Sequence, residues 1–362
     1  MNRATPAIEY IDSQSTLDAV TARVAAASHA GFDSEFLREK TYYPELCLLQ
    51  LAVEGEIFVV DPLARMQLDA FWLAMLDTPL TLHSGRQDLE VLRVTTDTLP
   101  STLMDTQVMA GIAGWSPQVG YATLVKEITG VTLDKAHTRT NWKRRPLSVA
   151  VLDYAADDVR HLGEITAHLE EKLTSLGRLE WARADSAALL DPALYENPPA
   201  AAWQRVKGIG RLPARVQQRV VSLAAWREAL AQQRNLPRQW VVRDDALIAI
   251  AFDNPEHADD VTDVQGVPAK FATRHGKAVV QALREPLPPA PVMGGPPDDE
   301  EKRRAKAMAA ALRALAKDME LEAEVLAPQR EVRSMAGGDR EVRALTGWRK
   351  DVVGPAIADL MP

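Results

Sequence analysis

Cysteine is all but absent. Cys47 is the only one among 362 residues, so no disulfide can form within the chain, and its setting in the apolar run LCLLQLAV predicts a buried, reduced thiol rather than a nucleophile. Long apolar runs are missing too. No stretch approaches the roughly 20 residues that cross a bilayer, and the opening MNRATPAIEYIDSQSTLDAV lacks the apolar segment of an export signal. The expectation is a cytoplasmic protein without a membrane. Nor is there a surplus of positive charge. A net charge of −8 argues against a surface coated in basic residues for non-specific nucleic-acid binding. What the chain does have is 46 % hydrophobic residues, enough for the cores of two or three domains.

The pattern along the chain changes twice. Residues 15–31, STLDAVTARVAAASHAG, read as a helix closing at a glycine. The following GFDSEF, LCLLQLAV and EIFVV read as strands of a meander, the last two joined by an EG turn. From residue 63 onward helical periods alternate with short strands at PLTLHSG and LPSTLMDT, the order of an α/β sandwich with a mixed sheet. A long helical stretch from about Ser148 to Ser186 ends at ALYENPPAAA, and REPLPPAPVMGGPPDDEE, residues 284–301, is too rich in proline and glycine to pack as an element. These breaks divide the chain into residues 1–195, a helical block at 203–288 and a shorter helical domain at 298–362.

Asp33 and Glu35 lie one residue apart on the first of these strands, so both point to one face while Phe32, Ser34 and Phe36 point to the other. That pattern suits a solvated acidic edge, or a divalent-metal site in which a cation relieves the repulsion between paired carboxylates. Further acids decide between them. Asp88 follows the turn His83-Ser84-Gly85 at the start of a helix, where an acid also complements the helix dipole. On the helix VLDYAADDVRHL, Tyr154 and Asp158 are four residues apart and share a face. Asp158 turns toward the apolar arc of Val151, Ala155, Val159 and Leu162, whereas Asp157 lies nearly opposite and is expected to face water. An inward carboxylate beside an inward tyrosine requires a partner, and a metal ion is one.

Two basic regions stand out. KAHTRTNWKRRPLS, residues 135–148, surrounds Trp142 with Arg139, Lys143, Arg144 and Arg145, a mixture that holds phosphates and stacks a base, or forms a basic loop anchored by a core tryptophan. Residues 201–243 carry nine Lys or Arg, Arg215 and Arg219 among them, against the single acid Glu228. A packed turn is expected at Tyr42-Tyr43-Pro44, and a turn or core role for His83.

The acids in this order, together with EF-x-R-x-x-TYYP-x-L-x-L-x-QL, H-x-G-x-x-DLEV, DTQ, GVTLDK, RT-x-W-x-x-RPL and YAA-x-DV, resemble the DEDD superfamily of 3′-to-5′ exonucleases in its tyrosine-bearing branch, and most closely the ribonuclease D family. LAAWREALAQQRNLPRQWVVRDDALIAIA resembles a helicase-and-RNase-D C-terminal (HRDC) domain. The resemblance implies a ribonuclease H-like α/β nuclease followed by two small all-α HRDC-type domains. It implies two divalent ions, Mg²⁺ or Mn²⁺, bound by Asp33, Glu35, Asp88 and Asp158, with Asp33 bridging them and Tyr154 orienting the attacking water. The implied substrate is RNA with a free 3′ end, in particular tRNA precursors, processed by a monomer. A DNA exonuclease and an inert RNA-binding scaffold are the alternatives; the presence of all four acids and the tyrosine weighs against the second.

Overall fold

The computed structural model describes residues 7–134, 140–291 and 297–362. It divides into two compact units, one made of Met1–Leu37, Leu46–Leu194 and Pro296–Pro362, the other of Arg38–Glu45 and Tyr195–Gly295.

The first unit opens with β1 (Ile8–Ile11), α1 (Gln14–Ala26), β2 (Ala30–Leu37), β3 (Glu45–Val53) and β4 (Glu56–Val60). It continues through α2 (Asp69–Asp77), β5 (Leu80–Leu82), α3 (Arg86–Thr96), β6 (Leu103–Asp105) and α4 (Thr106–Ile112). Helices α5 (Tyr121–Thr129), α6 (Val149–Arg160), α7 (Leu162–Ser175) and α8 (Leu179–Ala187) follow. The six strands form one mixed sheet in the order β1-β4-β3-β2-β5-β6, with β3 and β4 antiparallel and the pairs β1/β4, β2/β5 and β5/β6 parallel. The EG turn is where the sequence places it. Glu54 and Gly55 both take positive φ, 50° and 86°, the backbone that a tight two-residue hairpin needs.

Two features depart from the sequence pattern. IEYI is too short to announce a strand, and β1 exists because Ile8 to Ile11 add in register beside Ile57 to Val60 of β4, a pairing between distant residues. The helical stretch from Ser148 to Ser186 is three helices, broken at His161 and again around Gly177, whose φ is 67°.

The second unit contains α9 (Ala214–Arg234), α10 (Arg238–Val241), α11 (Asp244–Asp253) and α12 (Ala269–Arg284), packed around Val220, Ala224, Leu247, Ile250 and Val279. The Tyr42-Tyr43 turn belongs to this unit. The amides of both tyrosines donate to Asn235 Oδ1 at 3.0 Å, and the buried Tyr42 hydroxyl donates to Glu228 Oε1 at 2.5 Å. It is the packed turn expected.

The C-terminal helices α13 (Asp299–Asp318), α14 (Ala323–Leu326), α15 (Gln329–Ala336) and α16 (Gly347–Ile357) complete the first unit. Their Met308, Leu312, Val332, Met335 and Val353 enter the same apolar core as Met109, Leu124, Ile165 and Leu169. Trp181 lies flat on Trp348 at 4.3 Å, and the buried Arg349 grips Asp185 through both terminal nitrogens at 2.7 and 2.6 Å. The proline-rich linker therefore does not cut off an independent domain. The apolar faces of these helices are buried against α4, α5 and α7 rather than against one another alone.

Candidate active site

Strand β2 shows the alternation expected of it. Phe32 is fully buried, while Asp33 and Glu35 are partly exposed. Gly31, just before them, has a packing role. A Cβ there would stand 3.2 Å from Ala52 and 3.3 Å from Leu162, so glycine lets the α6–α7 junction approach the strand and brings Asp158 toward Asp33.

Asp88 arrives from the other side. It lies in the first turn of α3, buried, and its Oδ1 accepts from both the hydroxyl and the amide of Ser34, at 2.6 and 3.1 Å. The start of α3 is fixed by Asp105, which accepts from the amides of Ser84 (3.1 Å) and Gly85 (2.9 Å) while capping α4 through Gln107 (2.8 Å) and Val108 (3.2 Å). His83 serves the same turn. Its Nδ1 meets the Thr106 hydroxyl at 2.9 Å, its Nε2 donates to the Val119 carbonyl at 3.1 Å, and burial holds its pKa down. This is the structural histidine the sequence predicts.

On α6, Asp153 and Asp157 both pair with Arg160. Asp157 is therefore not the solvated residue expected from the helical wheel; the long arginine folds back over it. Asp158 takes no part in that network. Tyr154, one turn earlier, is backed by Trp142, whose ring stacks at 6.4 Å and 25°.

The four carboxylates form one electrostatic group. Asp33, Ser34, Glu35, Gln87 and Asp88 line a cleft of about 530 Å³. Among the described residues none of Asp33, Glu35, Asp88 and Asp158 forms an ion pair. Burial and then the charges of Asp88, Asp158 and Glu35 push Asp33 well above the usual carboxylate range. Burial followed by Asp158 and Asp88 raises Glu35 to about 8. Asp158 is raised to about 7 by burial, Asp157 and Asp88, and in Asp88 burial outweighs the Ser34 hydrogen bonds and gives about 6. Tyr154 is raised to about 12 by burial and the charges of Asp158, Glu35 and Asp33, so its phenol keeps its proton.

Such a set is stable only with protons or cations on it. Its donors are all carboxylate oxygens, which suit a hard divalent ion, and although Arg86 lines the same cleft, among the described residues no basic side chain forms an ion pair with them. In composition and charge the residues fit a metal. Among the described residues they are not gathered into a ready-made cage of three or more donors.

Three residues of this site escape sequence reasoning. Ser34 looks like a spacer between two acids, yet it holds the third. Asp105 sits in DTQ as an ordinary helix cap, a signal that does not show its second set of partners at Ser84 and Gly85. The half-buried Tyr121, whose hydroxyl accepts from the His161 amide at 3.1 Å, feels the charges of Asp158 and Asp33, which raise its pKa further after desolvation has done so.

The residues expected to contact RNA fare unevenly. Arg139 lies outside the described residues. Trp142 is 5 % exposed and packs in the core beneath Tyr154, so it does not offer a face to a base. Lys143 and Arg144 are exposed. Arg145 is a correction: its Nε and Nη2 meet the Asp61 carboxylate at 2.5 and 2.7 Å, and its remaining donors reach the Trp142 and Cys47 carbonyls. A buried acid from β4's end claims it. In the second unit Arg215 is exposed, whereas the half-buried Arg219 donates to the Ala251 carbonyl at 3.1 Å. Part of the basic surplus is also internal, because Arg227 is fully buried against Asp244 and Arg205 pairs with Glu228.

A family model described as 3′-5′ exonuclease matches residues 8–174, and one described as HRDC domain matches residues 216–283. Ribonuclease D of Granulibacter bethesdensis is 36 % identical over 366 aligned residues, spanning 96 % of this chain and 91 % of that one. The chain belongs to the ribonuclease D family. Ribonuclease D of Sphingobium indicum is likewise 36 % identical, over 97 % of this chain and 94 % of its own. The crystal structure of Escherichia coli RNase D, described as an exoribonuclease involved in structured RNA processing, superposes with a TM-score of 0.88 at 28 % identity and covers 98 % of both chains. The catalytic core of RRP6 from Trypanosoma brucei shares the fold, with a TM-score of 0.60 at 19 % identity over 79 % of this chain and 81 % of its own. Membership of the ribonuclease D family carries divalent-metal dependence with it.

Proposed function

We infer that this chain is a hydrolytic 3′-to-5′ exoribonuclease in which Asp33, Glu35, Asp88 and Asp158 hold two divalent ions, Mg²⁺ or Mn²⁺, and Tyr154 positions the attacking water. The observation that carries this reading is four carboxylates from three separate elements, in which the charge of Asp88 bears on Asp33, Glu35 and Asp158 and that of Asp158 on Asp33 and Glu35, with no ion pair to any of the four among the described residues. Bound divalent ions supply the Lewis acidity that activates water and stabilises the leaving 3′-oxygen during in-line displacement.

The chain's own groups do the rest. Ser34 orients Asp88 by two hydrogen bonds, which fixes one edge of the donor set before any ion arrives. Tyr154 is a poor base because burial and then the neighbouring acids keep it protonated; a phenol held against Trp142 can orient a water at the scissile phosphate. Exposed Lys143, Arg144 and Arg215 are suited to the phosphates of the incoming strand. The ribonuclease D relatives and the HRDC match support RNA over DNA, and tRNA precursors and other small stable RNAs acted on by a monomer in the cytoplasm are the substrates and setting proposed.

The test uses purified protein with 5′-labelled RNA and DNA of matched sequence, in Mg²⁺, Mn²⁺ or EDTA. Stepwise shortening of RNA from a free 3′-hydroxyl is expected, lost in EDTA and in Asp33→Asn. Equal shortening of an RNA blocked at its 3′ end would refute the exonuclease reading, and faster shortening of DNA would refute the choice of substrate.

A further inference from the structure

Helices α13 and α15 enclose a groove of about 350 Å³ that lies outside both family-model matches and away from the carboxylates. Its floor includes the small residues Ala305 and Ala309, and its rim carries Lys302, Lys306, Arg313 and Arg333. Lys302, Lys306, Ala309 and Arg313 follow the spacing i, i+4, i+7, i+11, so α13 presents them along one face.

Three of the four charges on this rim form no ion pair among the described residues. Lys302 pairs with Asp299 on its own helix, but Lys306, Arg313 and Arg333 are exposed, and among the described residues none of the three forms an ion pair. Glu301 is the one acid lining the groove, and its carboxylate is engaged in the capping box of α13, where it accepts the Asp298 amide at 2.9 Å. A row of unpaired cations over an alanine floor is out of keeping with a chain whose net charge is −8.

We propose that the α13–α15 groove binds the phosphate backbone of a single-stranded segment of the RNA substrate, with Lys306, Arg313 and Arg333 contacting phosphates and the alanine floor leaving room for sugar and base. The proposal rests on the exoribonuclease reading, which supplies the polyanion. Small floor residues admit a backbone closely, and separate point charges along a helix face match successive phosphates better than a single compact anion.

The experiment measures binding of the full-length, metal-free protein in EDTA to a 5′-labelled RNA hairpin with a long single-stranded 3′ tail, as a function of salt. In Lys306→Ala/Arg313→Ala the affinity at low salt is expected to fall about tenfold, and the slope of log K against log salt to lose about 1.4, at roughly 0.7 per phosphate contact in a single strand. Hydrolysis of a tetranucleotide in Mg²⁺, which offers at most three phosphodiesters, is expected to match the wild type. Arg303→Ala/Lys317→Ala, on exposed positions of α13 that do not line the groove, changes the net charge equally and should leave the slope intact. An unchanged slope in the groove variant, or an equal loss in the control, overturns the proposal. So does capture of a polyglutamate peptide at this groove without competition by RNA, which would assign it to an acidic protein segment. Absence of RNA shortening by the wild type would instead defeat the nuclease reading, a separate outcome of the same set.

Discussion

Arg145→Ala distinguishes an arginine that holds the nuclease together from one that holds its substrate. Asp61 accepts from Arg145 Nε and Nη2 at 2.5 and 2.7 Å and from the Tyr10 hydroxyl at 2.5 Å, with its side chain 5 % exposed and that of Arg145 24 %. Removing one partner of a buried pair costs about 3–5 kcal/mol, because a charge is left without compensation. The Tyr10 bond survives and Arg145 is partly solvated, so about 3 kcal/mol is expected, read by urea unfolding of the metal-free protein. Asp61→Asn should cost much less in the Arg145→Ala background than in the wild type, a coupling of about 2 kcal/mol or more.

The pH dependence has a definite sign. Burial alone would raise the Asp61 pKa, but the hydrogen bonds from Arg145 and Tyr10 outweigh it and hold the carboxyl below its ordinary value. A carboxylate depressed in the fold stabilises it above the unfolded pKa of roughly 3.9, and that contribution is lost as pH falls through the folded value. The gap between wild type and Arg145→Ala should therefore be full at neutral pH and close as the pH falls, because an Asp61 left buried without its arginine takes up a proton sooner than in the wild type. The salt slope of RNA binding should not change. Unaltered stability together with a shallower slope would refute this reasoning and place the guanidinium on a phosphate.

Asp158→Asn should stabilise the metal-free protein while abolishing hydrolysis. A carboxyl at about 7 in the fold against roughly 3.9 unfolded makes stability fall as pH rises from about 4 to 7 and then level off, which the amide removes. The difference in proton affinity is worth about 4 kcal/mol at 1.36 kcal/mol per tenfold, and relaxation of solvent and neighbours leaves an expected gain of about 2 kcal/mol at about pH 8 and almost none at about pH 4. Thermal melts in EDTA at the two pH values check it, and saturating Mg²⁺ should reverse the ranking. Ser34→Ala deletes the shorter of the two hydrogen bonds to Asp88; about 1 kcal/mol of stability should go with it, and Mg²⁺ titrations of activity should shift about tenfold to higher concentration, as loss of an outer-shell partner does. Gly85→Ala would set a Cβ 2.7–2.8 Å from Leu82, an overpacking expected to cost about 1–3 kcal/mol and to lower turnover by displacing the first turn of α3; a variant with normal melting and turnover would show that this turn has slack.

Local pattern alone determined a good deal. The period-two run at GFDSEF fixed β2 and put Asp33 and Glu35 on its open face, the EG turn fixed the β3–β4 hairpin, and the four-residue spacing of Tyr154 and Asp158 fixed their common face. Each of these is a property of a single element, set by sterics that nearby residues control. Even the family was legible, because its motifs are contiguous words. Long-range packing decided the remainder. It placed β1 beside β4 and buried Trp142 under Tyr154. It turned Arg145 to Asp61 and Arg160 to Asp157, and folded residues 297–362 onto the nuclease. It also made Ser34 and Asp105 the supports of Asp88. A sequence lists charges and apolar faces but not which distant partner satisfies them, and desolvation in the assembled core makes that choice.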